Sequence, residues 1–387
     1  MSLKVGGQDY AVQMGIELKN RREKLDQLIA QAGVRALLFD DAANAIEQRF
    51  LGASGLTLYK PGEKPKLIND SHEFIRRGSA SVVHHWAPRP DTVELVNGLS
   101  AHDIVAWTGR MGKLGIFYPD RMRADLADFL ADALPGVKLV DVTDIFFPEI
   151  LKKTPFEAEL EKIAAARHDR VFRAIPAMLN ESAVERDIVL AIRQTASRIS
   201  DRACDSFFGA LTDLYSGKNG EWDEDAPILY PGRSLSEGDL VEIKLQAGIA
   251  GGTYGILGRC FSLGEPDEAV RAACRVSAEA ADAAAKLLIP GSTIAKAKAA
   301  ALEVIAKAGY STPQMCNIYA IGSGYCEAPM SDGAGEDLPL EENMTFAVGF
   351  PVSKGEKAFP VACWDAFTVR PDGGELLSAV ERDILVV

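Results

Sequence analysis

From Thr154 onward, two helix patterns followed by a run of strand patterns occur twice in succession, and this doubling restricts the possible folds more than any other feature. The first block opens on Thr154-Pro155-Phe156-Glu157. Thr154 can cap a helix, Pro155 suits the first helical position, and Glu157 three residues after the cap completes a capping box. Phe156, Leu160, Ile163, Val171, Ile175 and Met178 supply an apolar stripe. Ser182 with Glu185 reads as the same signature for a second helix running to about Asp201. Strand-like segments are expected at about 205–214, 226–231, 239–249 and 254–263. The second block has an Ala-rich helix from Asp267 to about Leu288, stopped by Pro290-Gly291, and another from Ser292 or Thr293 to Gly309. Strand-like runs follow at 314–321, 344–352 and 358–370. The pattern predicts a domain of two similar halves, although their sequences differ too much to form a detectable repeat.

The upstream residues read differently. A helix pattern over 16–33 carries Leu18, Leu25, Leu28 and Ile29, and Arg35–Asp40 reads as a buried strand. Short strand-like runs recur at Pro65–Ile68, Ser81–Trp86, Asp103–Thr108 and Lys138–Val142, with a second helix pattern over Met122–Leu134. This alternation predicts a small α/β domain ending near residue 150. Two domains, 1–150 and 151–387, suit a chain of 387 residues at roughly 150 per domain.

Lys plus Arg total 42 against 55 Asp plus Glu, a net charge of −13, which argues against a nucleic-acid or anionic-membrane partner. No apolar run approaches the roughly 18 residues of a membrane span, and Met1–Gly7 lacks the apolar core of a signal peptide. The six cysteines lie far apart without Cys-x-x-Cys spacing and read as reduced thiols of a cytoplasmic protein. All five histidines lie at or before His168, so the C-terminal domain is expected to offer no histidine base.

A series of short motifs resembles one known family. Lys153-Thr154-Pro155 with Glu157 and Glu159 is similar to its entry into the first helix. Leu235 with Gly238-Asp239-Leu240-Val241 is similar to the turn before its central strand, and Arg259 through Gly264-Glu265-Pro266 to the stretch closing the next. Pro290-Gly291, Ile321-Gly322, Glu327-Ala328-Pro329, Asn343-Met344-Thr345-Phe346, and Asp365 with Asp372-Gly373 complete the order. The chain thus resembles the pita-bread-fold proteins: prolidases, aminopeptidase P, methionine aminopeptidases and creatinase. The resemblance covers about 152–387, and the N-terminal domain matches the creatinase-type partner domain more loosely. It implies an α/β (α+β) chain and a homodimer.

The resemblance also implies two Asp, one His and two Glu holding two divalent cations and a bridging hydroxide. Read through the same motifs, this chain has Lys244 five residues after Asp239, where the first Asp belongs, and Ile256 three before Arg259, with Gly255 as the alternative. Tyr319 stands for the His, Gly349 for the first Glu, and Trp364 beside Asp365 for the second. Hard divalent ions need charged oxygen or imidazole donors, and these five residues offer at most a neutral phenol. The expectation is a pocket with no metal and no other cofactor. Cys326 precedes Glu327-Ala328-Pro329 where peptidases carry a substrate-contacting His. Creatinase works without metal through a histidine on the loop before the Gly-Asp turn; here that loop, Asp225 to Pro231, has none. His84 and His85 beside Trp86, entering from a dimer mate, would be the remaining source, against an ordinary role in a strand or loop.

Lys244 stands out among Val241, Ile243 and Leu245, alternating with Glu242 and Gln246. Facing the former metal centre, it would need an anion such as Asp365, Glu327 or a ligand carboxylate. Desolvation would then make it a base or nucleophile, whereas a structural ion pair is the plainer reading. Cys326 would be a nucleophile beside such a cation and otherwise an inert buried thiol. Tyr319 and Trp364 would either bind a ligand or pack, and Trp222 and Tyr230 would border the pocket or pack at the surface. Ligand-binding candidates are Lys244, Tyr319, Cys326, Glu327, Trp364 and Asp365, with Lys244, Tyr319 and Cys326 the catalytic ones. Three functions follow: a metal-free binding or interaction protein, a metal-independent hydrolase or lyase of an amide or amidino C–N bond, and a metallopeptidase using other ligands.

Overall fold

The computed structural model describes residues 4–40, 44–51, 53–69, 82–83, 94–97, 112–199, 211–218, 232–250, 253–312, 317–322, 335–353 and 361–387. The chain divides into two compact units, Met1–Ile150 and Leu151–Val387.

In the first unit, helix α1 (Tyr10–Ala32) is capped by the Asp9 carboxylate, which accepts from the Ala11 N–H, and ends at Gly33 with a φ of 64°. Six strands form one mixed sheet: β1 (Leu37–Phe39), β2 (Leu56–Tyr59), β3 (Lys66–Asn69), β4 (Glu94–Asn97), β5 (Lys113–Ile116) and β6 (Lys138–Asp141). Their order is β6-β5-β1-β2-β3-β4. The longer helices after α1 are α2 (Asn44–Leu51), α3 (Ala124–Ala133) and α4 (Thr143–Leu151), and two short strand pairs, Lys4–Val5 with Gln8–Asp9 and Ala53–Ser54 with Val82–Val83, lie outside the sheet. The sequence pattern passed over β2, β4, β5, α2 and α4. The expected run Asp103–Thr108 lies outside the described residues.

The second unit opens on α5 (Pro155–Ala174), where the capping box forms as the sequence predicts. Thr154 Oγ1 accepts from the Glu157 N–H at 3.2 Å, and Glu157 Oε2 accepts from the Thr154 N–H at 2.8 Å. The second expected box does not form. Helix α6 spans Glu185–Ile199, so it starts at Glu185 itself. Ser182 sits at a φ of 74°, its N–H bound to the Leu235 carbonyl, and the Glu185 carboxylate accepts from the Ser216 hydroxyl instead.

Six strands form the path of the large sheet: β7 (Leu211–Lys218), β8 (Asp239–Ala250), β9 (Thr253–Ser262), β10 (Ile318–Ala320), β11 (Thr345–Gly349) and β12 (Trp364–Thr368), in the order β7-β8-β9-β12-β11-β10. Two short strands, Glu375–Leu376 and Leu385–Val386, pair with β12 and β9. The described part of the first strand, Leu211–Lys218, ends four residues beyond the expected 205–214.

Successive strand residues point to opposite faces. On β8, Val241, Ile243 and Leu245 join Val171, Phe172, Ile188 and Ile192 of α5 and α6 in one apolar core, with Leu257 and Phe261 of β9. Helices α7 (Glu268–Ala285) and α8 (Ile294–Lys307) pair through small side chains, with Ala280, Ala281, Ala297 and Ala301 buried. The Thr293 hydroxyl caps α8 by accepting from the Lys296 N–H.

Candidate functional site

The alternation that buries Val241, Ile243 and Leu245 puts Glu242, Lys244 and Gln246 on the other face of the sheet. The register extends this face across all six strands. Asp213 pairs with Lys244, Lys244 with Gly258, Gln246 with Ile256, Gly258 with Trp364, Trp364 with Gly349, and Tyr319 with Ala347 beside Gly349. Lys244, Ile256, Tyr319, Gly349 and Trp364, drawn from five strands, therefore share one face. The same parity puts Ile256 and Gly255 on opposite faces. Gly255 faces α5, where a Cβ would lie 2.8 Å from the His168 ring, and Ile256 faces the site.

Trp364 is the largest side chain of this face and is 3% exposed. Its indole lies directly over Gly349: a Cβ built there would come within 2.1 Å of the ring. At Gly258, on the other side, a Cβ would meet Trp364 at 2.9 Å. The indole therefore requires glycine at 349 and closely fills the space above it. Tyr319 lies 6.1 Å from the indole, centroid to centroid, and its hydroxyl donates to Gln246 Oε1 at 2.9 Å. Both residues are buried.

Among the described residues, the counter-ion of Lys244 is not Asp365, one of those the sequence suggested. Its Nζ lies 2.8 Å from Asp213 Oδ2 on the adjacent strand and 4.9 Å from the centroid of the Trp364 ring. Asp365 cannot serve, because it follows Trp364 on β12 and points to the opposite face. There it meets Arg259 Nη2 at 2.8 Å and Arg382 Nε at 2.9 Å, with Asp365 and Arg259 both fully buried. Arg259 also donates to the carbonyls of Gly258, Trp364, Val380 and Glu381. Asp365 thus ties the C-terminal segment to the sheet and takes no part in the face of Lys244. Cys326, Glu327, Trp222, Tyr230, His84 and His85 lie outside the described residues.

Three residues of this face were not singled out by the sequence pattern. Gln246 and Glu242 were visible only as the residues alternating with Lys244, and Asp213 needed the register. Glu242 is buried, and its carboxyl pKa is pushed up to about 8 by burial; the Lys244 charge opposes the rise and Asp213 adds to it. A carboxyl of this kind holds its proton at neutral pH and can give or take one there.

His168 corrects the expectation that the C-terminal domain has no histidine. It lies on α5, inside the unit Leu151–Val387, but against Gly255, on the face away from Lys244. Its Nδ1 bonds to the Ala164 carbonyl at 2.8 Å, and Nε2 has no partner among the described residues. Burial lowers its pKa to about 4, against the smaller raising effects of the Ala164 bond and Asp169.

Two divalent cations need several charged oxygen or imidazole donors. The five positions offer an ammonium already paired, a phenol already bonded, an isoleucine, a glycine and an indole, and the carboxyls beside them are Asp213, held by Lys244, and the buried Glu242. Among the described residues, no group of three His, Cys, Asp or Glu side chains is placed to hold a metal ion. These residues do not fit a dinuclear centre. No described helix is long and apolar enough to cross a membrane.

The sequence profile of metallopeptidase family M24 matches residues 159–371. A relative described as "Probable dipeptidase PepE" from Mycobacterium tuberculosis (strain ATCC 25618 / H37Rv) is 30% identical over 269 residues, 67% of this chain and 66% of that protein. The chain thus spans just under two thirds of the length of this curated relative. Among solved structures, an X-Pro aminopeptidase from Thermotoga maritima MSB8 superposes with a TM-score of 0.77 at 21% identity, covering 95% of this chain and 99% of the other. Dipeptidase PepE from Mycobacterium ulcerans gives 0.75 at 22%, covering 96% and 98%. At these identities the two structures establish the shared fold.

Proposed function

The chain belongs to metallopeptidase family M24, and from that premise we propose that it is a prolidase- and dipeptidase-like member that works without a dinuclear metal centre and is not a peptidase. The observation that carries this reading is the indole of Trp364 over Gly349. The residue that the motif resemblance places at one carboxylate ligand fills the space a side chain at 349 would need, so a carboxylate cannot enter at 349 while Trp364 stays. Lys244 adds a fixed positive charge beside it, which repels incoming cations. The function that fits is binding: a small ligand, anionic or zwitterionic, meeting the face where Lys244 and Asp213 remain partly exposed, 19% and 32% at the side chain. The homodimer implied by the family resemblance and the cytoplasmic location read from the cysteines belong to the same proposal. The test is elemental analysis of protein purified with manganese, cobalt or zinc, alongside assays on Xaa-Pro dipeptides. The expected result is far less than one metal per chain and no turnover, and near-stoichiometric metal with turnover would overturn the reading.

Glu242 favours a second reading, a metal-independent hydrolase or lyase acting on an amide or amidino C–N bond. Its carboxyl changes protonation near pH 8, close to the Lys244 ammonium, as acid–base chemistry at neutral pH requires. Lys244, Tyr319 and Cys326 are the other catalytic candidates of this reading. It predicts turnover that resists chelators and disappears in both Lys244→Ala and Glu242→Gln. Turnover that survives both substitutions would eliminate it.

A further inference from the structure

The surroundings of Lys244 have the composition of an ammonium-binding cage. One wall is the Asp213 carboxylate, 2.8 Å from Nζ. Another is the face of the Trp364 indole, 4.9 Å away at its centroid, where the ring quadrupole attracts cations. The third is Glu242, on the same face of the same strand and in electrostatic contact with both Lys244 and Asp213. Gly258, directly opposite Lys244, and Gly349 leave room for the indole that forms the aromatic wall.

The charge of this arrangement also selects its occupant. Glu242 keeps its proton around neutrality, leaving Asp213 as the anion, so one positive charge is balanced. A hard divalent ion is held by ionised carboxylates, and here the Asp213 carboxylate is already paired with an ammonium that repels such an ion. An ammonium needs less: a charged acceptor for one or two of its N–H bonds and an aromatic face for the remainder.

We propose that Asp213, Glu242 and Trp364 form a binding site for a monovalent alkylammonium group, and that the Lys244 side chain is its resident occupant, a tethered cation at a position where the motif resemblance implies a metal ligand. The inference rests on the reading that no metal shares this face. It adds a specific ligand class: an amine reaching the face competes with Lys244 for the cage, and displacement frees the Lys244 ammonium for an incoming carboxylate. A zwitterion carrying both groups satisfies the two sites at once.

The test is chemical rescue. Lys244→Ala keeps Cβ and removes the atoms that n-propylammonium would replace. Thermal unfolding of this variant is followed while n-propylammonium chloride is titrated, with sodium chloride, 1-propanol and sodium propionate as controls at matched concentration and ionic strength. The expected result is a saturable rise in Tm, about 2 °C at roughly ten times the Kd, seen with the ammonium alone and absent from Lys244→Ala/Asp213→Asn. A rise no larger than that with sodium chloride, or one equal in the double variant, overturns the proposal. If Lys244→Ala does not fold, reductive methylation of the wild-type protein, read by mass spectrometry, answers the same question. A caged Lys244 reacts several-fold more slowly than exposed lysines such as Lys19, and Asp213→Asn accelerates it; equal rates overturn the proposal. Metal content measured on the same preparations separates the two failures, since bound metal defeats the metal-free reading, whereas metal-free protein without amine rescue defeats only the cage.

Discussion

If the indole of Trp364 occupies the space over Gly349, then adding one methyl group at 349 is costly while Trp364 is present and cheap once it is gone. In Gly349→Ala the new Cβ falls 2.1, 2.4 and 2.6 Å from three atoms of the ring, all inside any tolerated contact. The ring has little freedom to retreat, being 3% exposed with Gly258 under its Cβ, Tyr319 beside it and the Lys244 ammonium over its face. The cost belongs at the upper end of overpacking, about 3 kcal/mol. Trp364→Ala opens a cavity and costs about 3–5 kcal/mol. Independent effects would sum to about 6–8 kcal/mol. In the double variant the methyl enters the vacated space, so the total should stay near that of Trp364→Ala alone, leaving a coupling of about 2–3 kcal/mol. Equilibrium urea unfolding followed by far-ultraviolet circular dichroism measures all four proteins without relying on the deleted fluorophore. Additivity within about 0.5 kcal/mol would refute the packing argument and remove its support for a metal-free site.

Two further predictions concern the opposite face. Burial holds the His168 pKa at about 4 in the folded protein against an ordinary 6.5, so neutral His168 contributes about 3 kcal/mol that is fully present above about pH 6.5 and lost as pH falls through 4. His168→Gln should flatten this part of the acid limb in urea unfolding measured across that window, and an unchanged limb would show that other groups carry it. Asp365→Ala leaves the fully buried Arg259 guanidinium without its anion and should cost about 3–5 kcal/mol. It should also speed amide exchange at 380–387, since Arg259 holds the Val380 and Glu381 carbonyls, and a loss below about 1 kcal/mol would make the pair dispensable.

The features legible in the sequence were those set by local chemistry. The Thr154–Glu157 box, the Thr293 cap and the β8 alternation each depend on residues within a few positions of one another, and each forms. Spacing alone failed at Ser182 and Glu185. The same three-residue interval occurs there, but pairing between Ala183 and Leu235 draws Ser182 into a left-handed turn, and Ser216 claims the carboxylate. Pairing register was out of reach as well, since nothing near Lys244 in the chain announces that Asp213 lies across from it. Asp365 misled because adjacency in a strand reverses the direction of the side chain. His168 was counted correctly but read as belonging upstream, whereas α5 carries it into the second unit.

The mutual fit of Gly349 and Trp364 imposes an order on any mutational route between this chain and a metal-binding cousin. Starting from this chain, a glutamate at 349 cannot be accommodated until the tryptophan has left. If the tryptophan leaves first, the protein must tolerate a void the size of an indole beside an unshielded ammonium. One-letter reversion is therefore blocked in one direction and hazardous in the other, which makes the present state hard to leave by single steps.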